Sequence, residues 1–451
     1  MGKVEIQIII NGQSKVFNDQ FTVLEALKSV NINIPSPCCH VHLNSTHHCG
    51  LCFVGIKFPE KSWNMYPACA VKICDKMEID TEFPQAVLWR STIMDLYLVN
   101  HSLDCSNCDK AENCFLRKFA FGSKFHGISE LFGTRECQKV RKKLGDKISI
   151  DNAQCILCGR CLSFCNDVLG EDILGKIKNE QNIDEINTYP GREFNNNYSL
   201  NLVDLCPVGA IINNNRDSAH MAWNLQRTPS VSPESSVGIN TYILHDKKHV
   251  YRIIPRENEH VNQSWMTDSA RELHKILEPQ NRIFNVQKSG KTADLKMTLA
   301  HAANKILSSN KGIYVVCSGE MSLEDQFVLK RFLDVTSAIP YFVKKTIPGD
   351  GFLVSDDPYP NTNGAKMMRL STEANTHVDL KDLYADISNG KCDNVICVYE
   401  DIFDESVDDA QLADVNVTYI GYRRNRTSQI ANFVFPVATI FERSGTFINK
   451  D

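Results

Sequence analysis

No run of eighteen consecutive apolar residues occurs in this 451-residue chain, so no hydrophobic segment is long enough to cross a bilayer as a helix. Any membrane association would have to come through a partner. An excess of positive charge is also missing: 49 Lys and Arg stand against 54 Asp and Glu, a formal net charge of -5, which leaves no electrostatic footprint for nucleic acid. No GxGxxG or P-loop follows a strand-like run, so a phosphate cradle is not expected. No secretory leader is expected, since Met1–Gly2–Lys3 runs straight into the alternating segment Val4–Ile10, and a reducing compartment with free thiols is expected with it. Cysteine is absent between residues 207 and 316.

Elsewhere cysteine is abundant and unevenly spread. Fifteen of the eighteen cysteines fall before residue 207, and only Cys317, Cys392 and Cys397 come after it. A uniform packing or disulfide role would not produce that skew, and in a reducing setting clustered cysteines read as metal ligands. With 43% hydrophobic and 23% charged residues the chain is otherwise an ordinary globular one. Its length allows about two to four domains. The abundance of Asn, Lys and Ile points to an AT-rich genome, hence to a bacterial or organelle-encoded protein.

Val4, Ile6, Ile8 and Ile10 alternate with polar positions, Asn11–Gly12 is a two-residue hairpin signal, and Ser14–Phe17 reads as the returning strand. Thr22 with Glu25 forms a capping-box pattern ahead of a short amphipathic helix. A hairpin packed on one helix begins a β-grasp domain. After the turn at Ile34–Pro37 the chain delivers Cys38, Cys49, Cys52 and Cys69, separated by ten, two and sixteen residues. Three thiolates on one loop and a fourth further along can enclose a 2Fe-2S cluster, whose negative charge asks for backbone N–H donors from a tightly wound loop. Gly50 permits that winding. Cys39 and Cys74 complete no spacing and read as core residues.

A helix over Gln85–Leu98 is expected to present His101 at its end. His101, Cys105, Cys108 and Cys114 then offer one imidazole and three thiolates; exchanging a thiolate for neutral imidazole removes one negative charge and tends to raise a cluster's reduction potential. His126 reads as structural, and the basic run Thr134–Lys143, after the Phe- and Gly-rich stretch Phe119–Phe132, as a solvated face. Cys155, Cys158, Cys161 and Cys165 repeat the bacterial ferredoxin run, in which the fourth cysteine serves a second cluster. No second run exists here. The remote partner is Cys206–Pro207, which assigns a 4Fe-4S cluster to Cys155, Cys158, Cys161 and Cys206 and leaves Cys165 an orphan. Arg160 reads as a surface residue, with a cluster charge partner as the alternative.

These motifs, in this order from Pro35–x2–Cys38–x–His40 to Cys206–Pro207–Val208–Gly209–Ala210, resemble the large iron-sulfur subunit, of 75 kDa type, of respiratory complex I, the NADH:quinone oxidoreductase. The resemblance covers about the first 275 residues. It implies one 2Fe-2S and two 4Fe-4S clusters, the second of these on His101, Cys105, Cys108 and Cys114, relaying electrons from flavin toward quinone with no substrate site of the chain's own. It further implies partners among the flavin/NADH-binding subunit and the peripheral-arm iron-sulfur subunits, at the mitochondrial matrix face or the bacterial cytoplasmic face of the inner membrane. The hairpin Tyr242–Ile254 and the phrase Arg252–Trp265 look like the start of the family's molybdopterin-oxidoreductase-like domain. With no cysteine there, the off-path cluster of some members is expected to be absent, and no molybdopterin is expected.

The fold expectation is a multidomain α+β chain. Residues 1–80 read as a β-grasp 2Fe-2S ferredoxin-like domain, 81–120 as a His/Cys3-ligated 4Fe-4S domain and 121–215 as a second 4Fe-4S domain. Residues 216–275 read as a degenerate domain lacking cluster ligands, and 276–451 as an α/β scaffold. In the last, Leu295–Leu307 and Ser322–Leu333 read as helices, while Ile313–Cys317, Val395–Tyr399, Val417–Ile420 and Phe433–Val437 read as buried strands of a doubly wound layer. Gly349–Gly351 and Asn361–Gly364 read as turns, Cys317 as a packed thiol and the acidic run Asp401–Asp414 as a solvated face. The chain is shorter than the family's usual length and stops at Gly445–Asp451, so either a reduced form or an early end is expected. Two rivals remain: an iron-sulfur subunit of an NAD-linked hydrogenase or formate dehydrogenase, and a zinc-stabilised scaffold without redox chemistry.

Overall fold

The computed structural model describes residues 5–18, 20–101, 105–122, 141–215, 224–370, 380–403, 412 and 414–448. His126, most of the Phe119–Phe132 and Thr134–Lys143 stretches, and much of the acidic run 401–414 lie outside the described residues. The chain divides into two compact units, Met1–Leu225 and Gln226–Asp451.

In the first unit, β1 (Glu5–Ile10) buries Ile6, Ile8 and Ile10 on one face. β2 (Gln13–Asn18) returns antiparallel through Asn11 and Gly12, whose φ angles of 47° and 81° are those of a primed hairpin turn. α1 (Val23–Ser29) opens with the Thr22–Glu25 capping box and turns Val23, Leu24, Ala26 and Leu27 inward. β3 (Phe53–Lys57), β4 (Asn64–Pro67) and β5 (Glu78–Asp80) complete a five-stranded sheet of order β2-β1-β5-β3-β4. Its core joins the three isoleucines to Leu27, Val54, Ile56 and Ile79, a β-grasp arrangement. The long α1–β3 connection stays outside the sheet, and it carries Cys38, Cys49 and Cys52.

α2 (Pro84–Asn100) starts with proline at its first turn, where no N–H is needed, and ends with His101 in extended backbone. α3 (Phe115–Gly122) follows the cysteine triplet. β6 (Arg141–Lys143) and β7 (Ile148–Asp151) then lead into α4 (Arg160–Ser163), which runs on into a π turn over Phe164–Leu169. A hairpin of β8 (Leu174–Lys178) and β9 (Asp184–Thr188) precedes α5 (Asn201–Leu205) and β10 (Ile211–Asn213). β10, β7 and β6 form an antiparallel sheet that fixes both ends of the segment holding Cys155 to Cys206.

The second unit begins with the antiparallel meander β11 (Gln226–Val231), β12 (Asn240–His245) and β13 (Val250–Pro255), the last two forming the expected hairpin. α6 (Asp268–Glu272) and the short hairpin β14 (Gln287–Lys288) and β15 (Lys291–Thr292) lead to α7 (Leu295–Leu307). β16 (Gly312–Cys317), α8 (Leu323–Thr336), β17 (Ile339–Phe342), α9 (Thr362–Met367) and α10 (Leu380–Ser388) follow. β18 (Cys392–Val398), β19 (Asn416–Ile420), α11 (Arg426–Ile430) and β20 (Phe433–Phe435) finish the layer. The sheet order is β15-β14-β20-β19-β18-β16-β17, with β17, β16, β18, β19 and β20 mutually parallel.

Along β16 and β18, Tyr314, Val316, Val395 and Cys397 bury on one face, and Val315, Cys317, Ile396 and Val398 on the other. A parallel sheet covered on both sides reads as unbroken apolar runs for this reason. One expectation fails. Asn361–Gly364 is no turn: Thr362 starts α9, because the Asn361 amide donates to the Met321 carbonyl and its oxygen accepts from the Ile448 N–H, fixing the helix entry.

Candidate metal centres

Cys38, Cys49, Cys52 and Cys69 converge as two sulfur pairs. Cys38 and Cys49 Sγ lie 3.2 Å apart, as do Cys52 and Cys69 Sγ. All four residues are at most 6% exposed. Gly50 takes φ 64°, and the loop that it winds turns the Leu51 N–H onto Cys49. Crowding among these thiols drives their protonation apart: hydrogen bonding with Cys39 and Cys49 holds Cys38 far below the usual thiol range, while the bond with Cys38 pushes Cys49 up. His47 Nδ1 sits 3.1 Å from Cys69 Sγ. Two buried sulfur pairs are what a two-iron rhomb needs, two thiolates to each iron.

Cys155, Cys158, Cys161 and Cys206 line one cavity, whose remaining wall is largely apolar and includes Ile150, Ile156, Ile186, Val208 and Ile211. The run winds through positive φ at Leu157 (50°) and Gly159 (77°), which turns the Leu157 N–H toward Cys155 Sγ and the Arg160 N–H toward Cys158. Burial pushes the Cys155 and Cys158 thiols up to about 12. Metal binding there must displace protons. Cys165 does not line this cavity; it is 1% exposed in the π turn and bonded by the Leu174 backbone.

The third set lies at the end of α2 and along the segment that follows it, where Cys105, Cys108 and Cys114 come close to one another. His101 is buried at the helix end, its Nδ1 has no hydrogen-bond partner, and burial lowers its pKa, so the ring is kept neutral. The backbone of Gln154 bonds the same imidazole. Cys108 and Cys114 each receive the N–H two residues on, from Lys110 and Leu116, and both thiols are pushed up by burial, with Cys105 a nearby contributor. Three neighbouring thiols, and a buried imidazole nitrogen without a partner at the end of the preceding helix, are donors of the kind an iron ligand set uses.

The three sets are stitched to one another. Thr46, on the first loop, donates to the Cys158 carbonyl at 2.5 Å, and Gly159 packs so closely on Thr46 that an added Cβ would lie 2.9 Å from its methyl. Arg160 donates to the Cys39 and Leu205 carbonyls, so it joins the first loop to the residue before Cys206. It is no surface residue; its Nε is buried without a hydrogen-bond partner. Tyr97 donates to the Cys49 carbonyl at 2.9 Å, with Cys158 and Cys155 close enough to add to the burial that pushes its pKa up. On the far side, Phe115 N–H donates to the Pro207 carbonyl at 2.8 Å, and Lys110 donates to the Asp204 carbonyl at 2.6 Å. A Cβ at Gly209 would collide with Cys108 Sγ.

Sequence reasoning missed a buried polar group at the C-terminal ends of β16 and β18. Glu320 accepts from the Tyr422 hydroxyl at 2.5 Å and pairs with Arg423 at 3.1 Å, and Glu400 pairs with Lys345 at 3.4 Å. Tyr399 there has φ 64°. Both glutamates fall just after a buried strand, a signal available in the sequence. Each acid meets a base, as in a structural network.

Comparison with known families assigns the front of the chain domain by domain. Residues 3–84 match a 2Fe-2S iron-sulfur cluster binding domain, and 90–127 match the NADH-ubiquinone oxidoreductase-G iron-sulfur binding region. Residues 145–212 match the ferredoxin-like domain of NADH-quinone oxidoreductase subunit 3, and 225–274 match the NADH-ubiquinone oxidoreductase NDSU1/NuoG-like 4Fe-4S domain. The last match contains no cysteine. Domains of both 2Fe-2S and 4Fe-4S type in one chain define the class, a multi-cluster iron-sulfur protein.

The relatives narrow it. The 75 kDa subunit of NADH-ubiquinone oxidoreductase from Reclinomonas americana is 30% identical over 354 residues, 76% of this chain and 50% of that protein. The corresponding subunit of NADH-quinone oxidoreductase from Rickettsia bellii is 30% identical over 347 residues, 75% of this chain and 50% of that one. The mitochondrial iron-sulfur protein 1 of NADH dehydrogenase [ubiquinone] from Solanum tuberosum is 32% identical over 268 residues, 59% of this chain and 35% of that one. A solved chain of an NAD+-reducing [NiFe]-hydrogenase aligns at TM-score 0.40 and 21% identity over 47% of this chain and 88% of its own. The chain belongs to the 75 kDa, or NuoG-like, iron-sulfur subunit family of NADH-quinone oxidoreductase, and it spans about half the length of the curated relatives it matches.

Proposed function

We propose that this chain is an electron relay in an NADH:quinone oxidoreductase, carrying electrons from flavin toward quinone through three iron-sulfur centres. A 2Fe-2S cluster would be held by Cys38, Cys49, Cys52 and Cys69, and 4Fe-4S clusters by Cys155, Cys158, Cys161 and Cys206 and by His101, Cys105, Cys108 and Cys114. The domains would run as 1–80, 81–120, 121–215, 216–275 and 276–451. Bound at such sites, the clusters supply one-electron uptake and release. The protein's part is to hold the ligands, direct N–H donors at the sulfurs, and keep water out.

The observation that carries this reading is the contact between the segments that carry successive ligand sets: Thr46 with Cys158, and Gly209 with Cys108. The order along the relay is then the 2Fe-2S site, the Cys155–Cys206 site and the His101 site. Partners would be the flavin/NADH-binding subunit and other iron-sulfur subunits of the peripheral arm, at the matrix or cytoplasmic face. The second unit would serve as a scaffold. Anaerobic purification from the native source tests this, with iron, sulfide and zinc analysis, EPR, and identification of copurifying subunits. About ten irons per chain with three reducible signals, alongside an NADH-oxidising flavoprotein, is the expected outcome. A colourless zinc protein, or recovery with a hydrogenase, would overturn it.

A further inference from the structure

A fifth sulfur belongs to the first site. Cys39, which completes no ligand spacing and would serve as packing, is only half-buried, and its Sγ lies among the other thiols. It is 3.9 Å from Cys38 Sγ, and the sulfurs of Cys38, Cys39 and Cys69 all fall within 4.8 Å of one another. The Ser45 hydroxyl, 3.0 Å away, steadies the thiol without covering it. The backbone is fixed on both sides: the Cys39 N–H donates to the Ser36 carbonyl at 3.1 Å, and its carbonyl accepts from Arg160. Cys74 makes a useful contrast, for it packs at the margin of the β-grasp core and joins no sulfur group among the described residues.

We propose that Cys39 is a reserve ligand of this site, able to replace either Cys38 or Cys69 on iron. The inference rests on the assignment of Cys38, Cys49, Cys52 and Cys69 to a 2Fe-2S cluster. Each iron of such a rhomb takes two thiolates, and the two close pairs divide them as Cys38 with Cys49 and Cys52 with Cys69. A sulfur within reach of one member of each pair can stand in for that member and leave its mate in place. The exchange is a change of ligand only: Cys39 gives up its thiol proton as its bond to iron forms, the Cys38 or Cys69 thiolate whose bond breaks takes up a proton, and no electron moves. A site built this way survives the loss of one thiolate, for instance by substitution, without releasing its iron.

The test uses the full chain, reconstituted anaerobically with ferrous iron and sulfide, and reads the 2Fe-2S signal by visible absorption, circular dichroism and EPR. Cys38→Ala and Cys69→Ala are each expected to keep a 2Fe-2S signal with altered g values, and adding Cys39→Ala to either should abolish it. Cys49→Ala and Cys52→Ala should lose the signal with Cys39 present. Retention of the 4Fe-4S signals and of far-ultraviolet circular dichroism shows that a variant is folded, and the two single variants test the idea from opposite irons. If folded Cys38→Ala and Cys69→Ala lose the signal as fully as the double variants, or if the doubles keep it, the reserve role is wrong. Absence of a 2Fe-2S signal from the unaltered chain would instead defeat the cluster assignment itself, and the reserve role with it.

Discussion

Cysteine is used in opposite ways in the two units. In the first, the thiols gather: pairs at 3.2 Å, four sulfurs around one cavity, and N–H donors supplied two residues along the chain. In the second, Cys317 and Cys397 are fully buried on opposite faces of the parallel sheet, each among Val, Ile or Tyr. Both have their pKa raised by burial, and neither joins a sulfur group among the described residues. Burial therefore does not mark a ligand. What separates the two uses is a loop wound tightly enough to turn donors inward, as at Gly50, Leu157 and Gly159.

The sharpest break of this contrast is ligand removal. Cys206→Ala is expected to cost about four irons per chain and one 4Fe-4S signal. Cys317→Ala should leave iron content unchanged and cost about 1–2 kcal/mol of stability, read by denaturant unfolding. Equal iron loss in both would dissolve the distinction between the units.

Next comes His101. His101→Ala is expected to remove or shift one EPR signal, and His101→Cys, by adding a negative charge, to lower that centre's reduction potential. An unchanged spectrum in both variants would remove His101 from the ligand set. Gly209→Ala forces a methyl toward Cys108 Sγ and should cost about 1–3 kcal/mol while perturbing the same signal. Arg160→Gln removes a fixed positive charge beside Cys158 and should lower the potential of the Cys155–Cys206 centre, with Arg160→Lys restoring part of it. Redox titration followed by EPR measures both.

The smallest effect belongs to the scaffold. Glu324 accepts from the Thr446 N–H and hydroxyl, which hold its pKa down to about 2. A depressed carboxyl stabilises the fold above its ordinary value near 4.5, and that contribution fades as pH falls toward about 2. Melting temperature against pH should show a shallower acid limb in Glu324→Gln. The group is exposed, so the difference will be small.

Much of this is legible in the sequence. The Asn11–Gly12 turn, the Thr22–Glu25 capping box and the helix ending at His101 are local patterns whose physics lies within a few residues, and the structure has them. α7 begins and ends at the expected Leu295 and Leu307. Tertiary override hides other features. β17 contains Pro340, which reads against a strand, yet lies at the sheet's parallel edge. Asn361–Gly364 has the composition of a turn, but Met321 and Ile448, far away in sequence, claim the asparagine side chain. The spacing rules select thiols that converge, but they pass over Cys39, because a spacing records which residues repeat and not where a neighbouring side chain points. Arg160 escapes for a similar reason: both of its carbonyl partners, at Cys39 and Leu205, are remote in the chain.

The Arg160 bridge is one of several joints between two neighbouring sets of thiols. A guanidinium held by the Cys39 and Leu205 carbonyls ties the first loop to the residue before Cys206, so a rearrangement on either side is expected to reach the other. Disorder in this molecule should therefore spread by adjacency, and its weakest variants will fail in couples instead of singly.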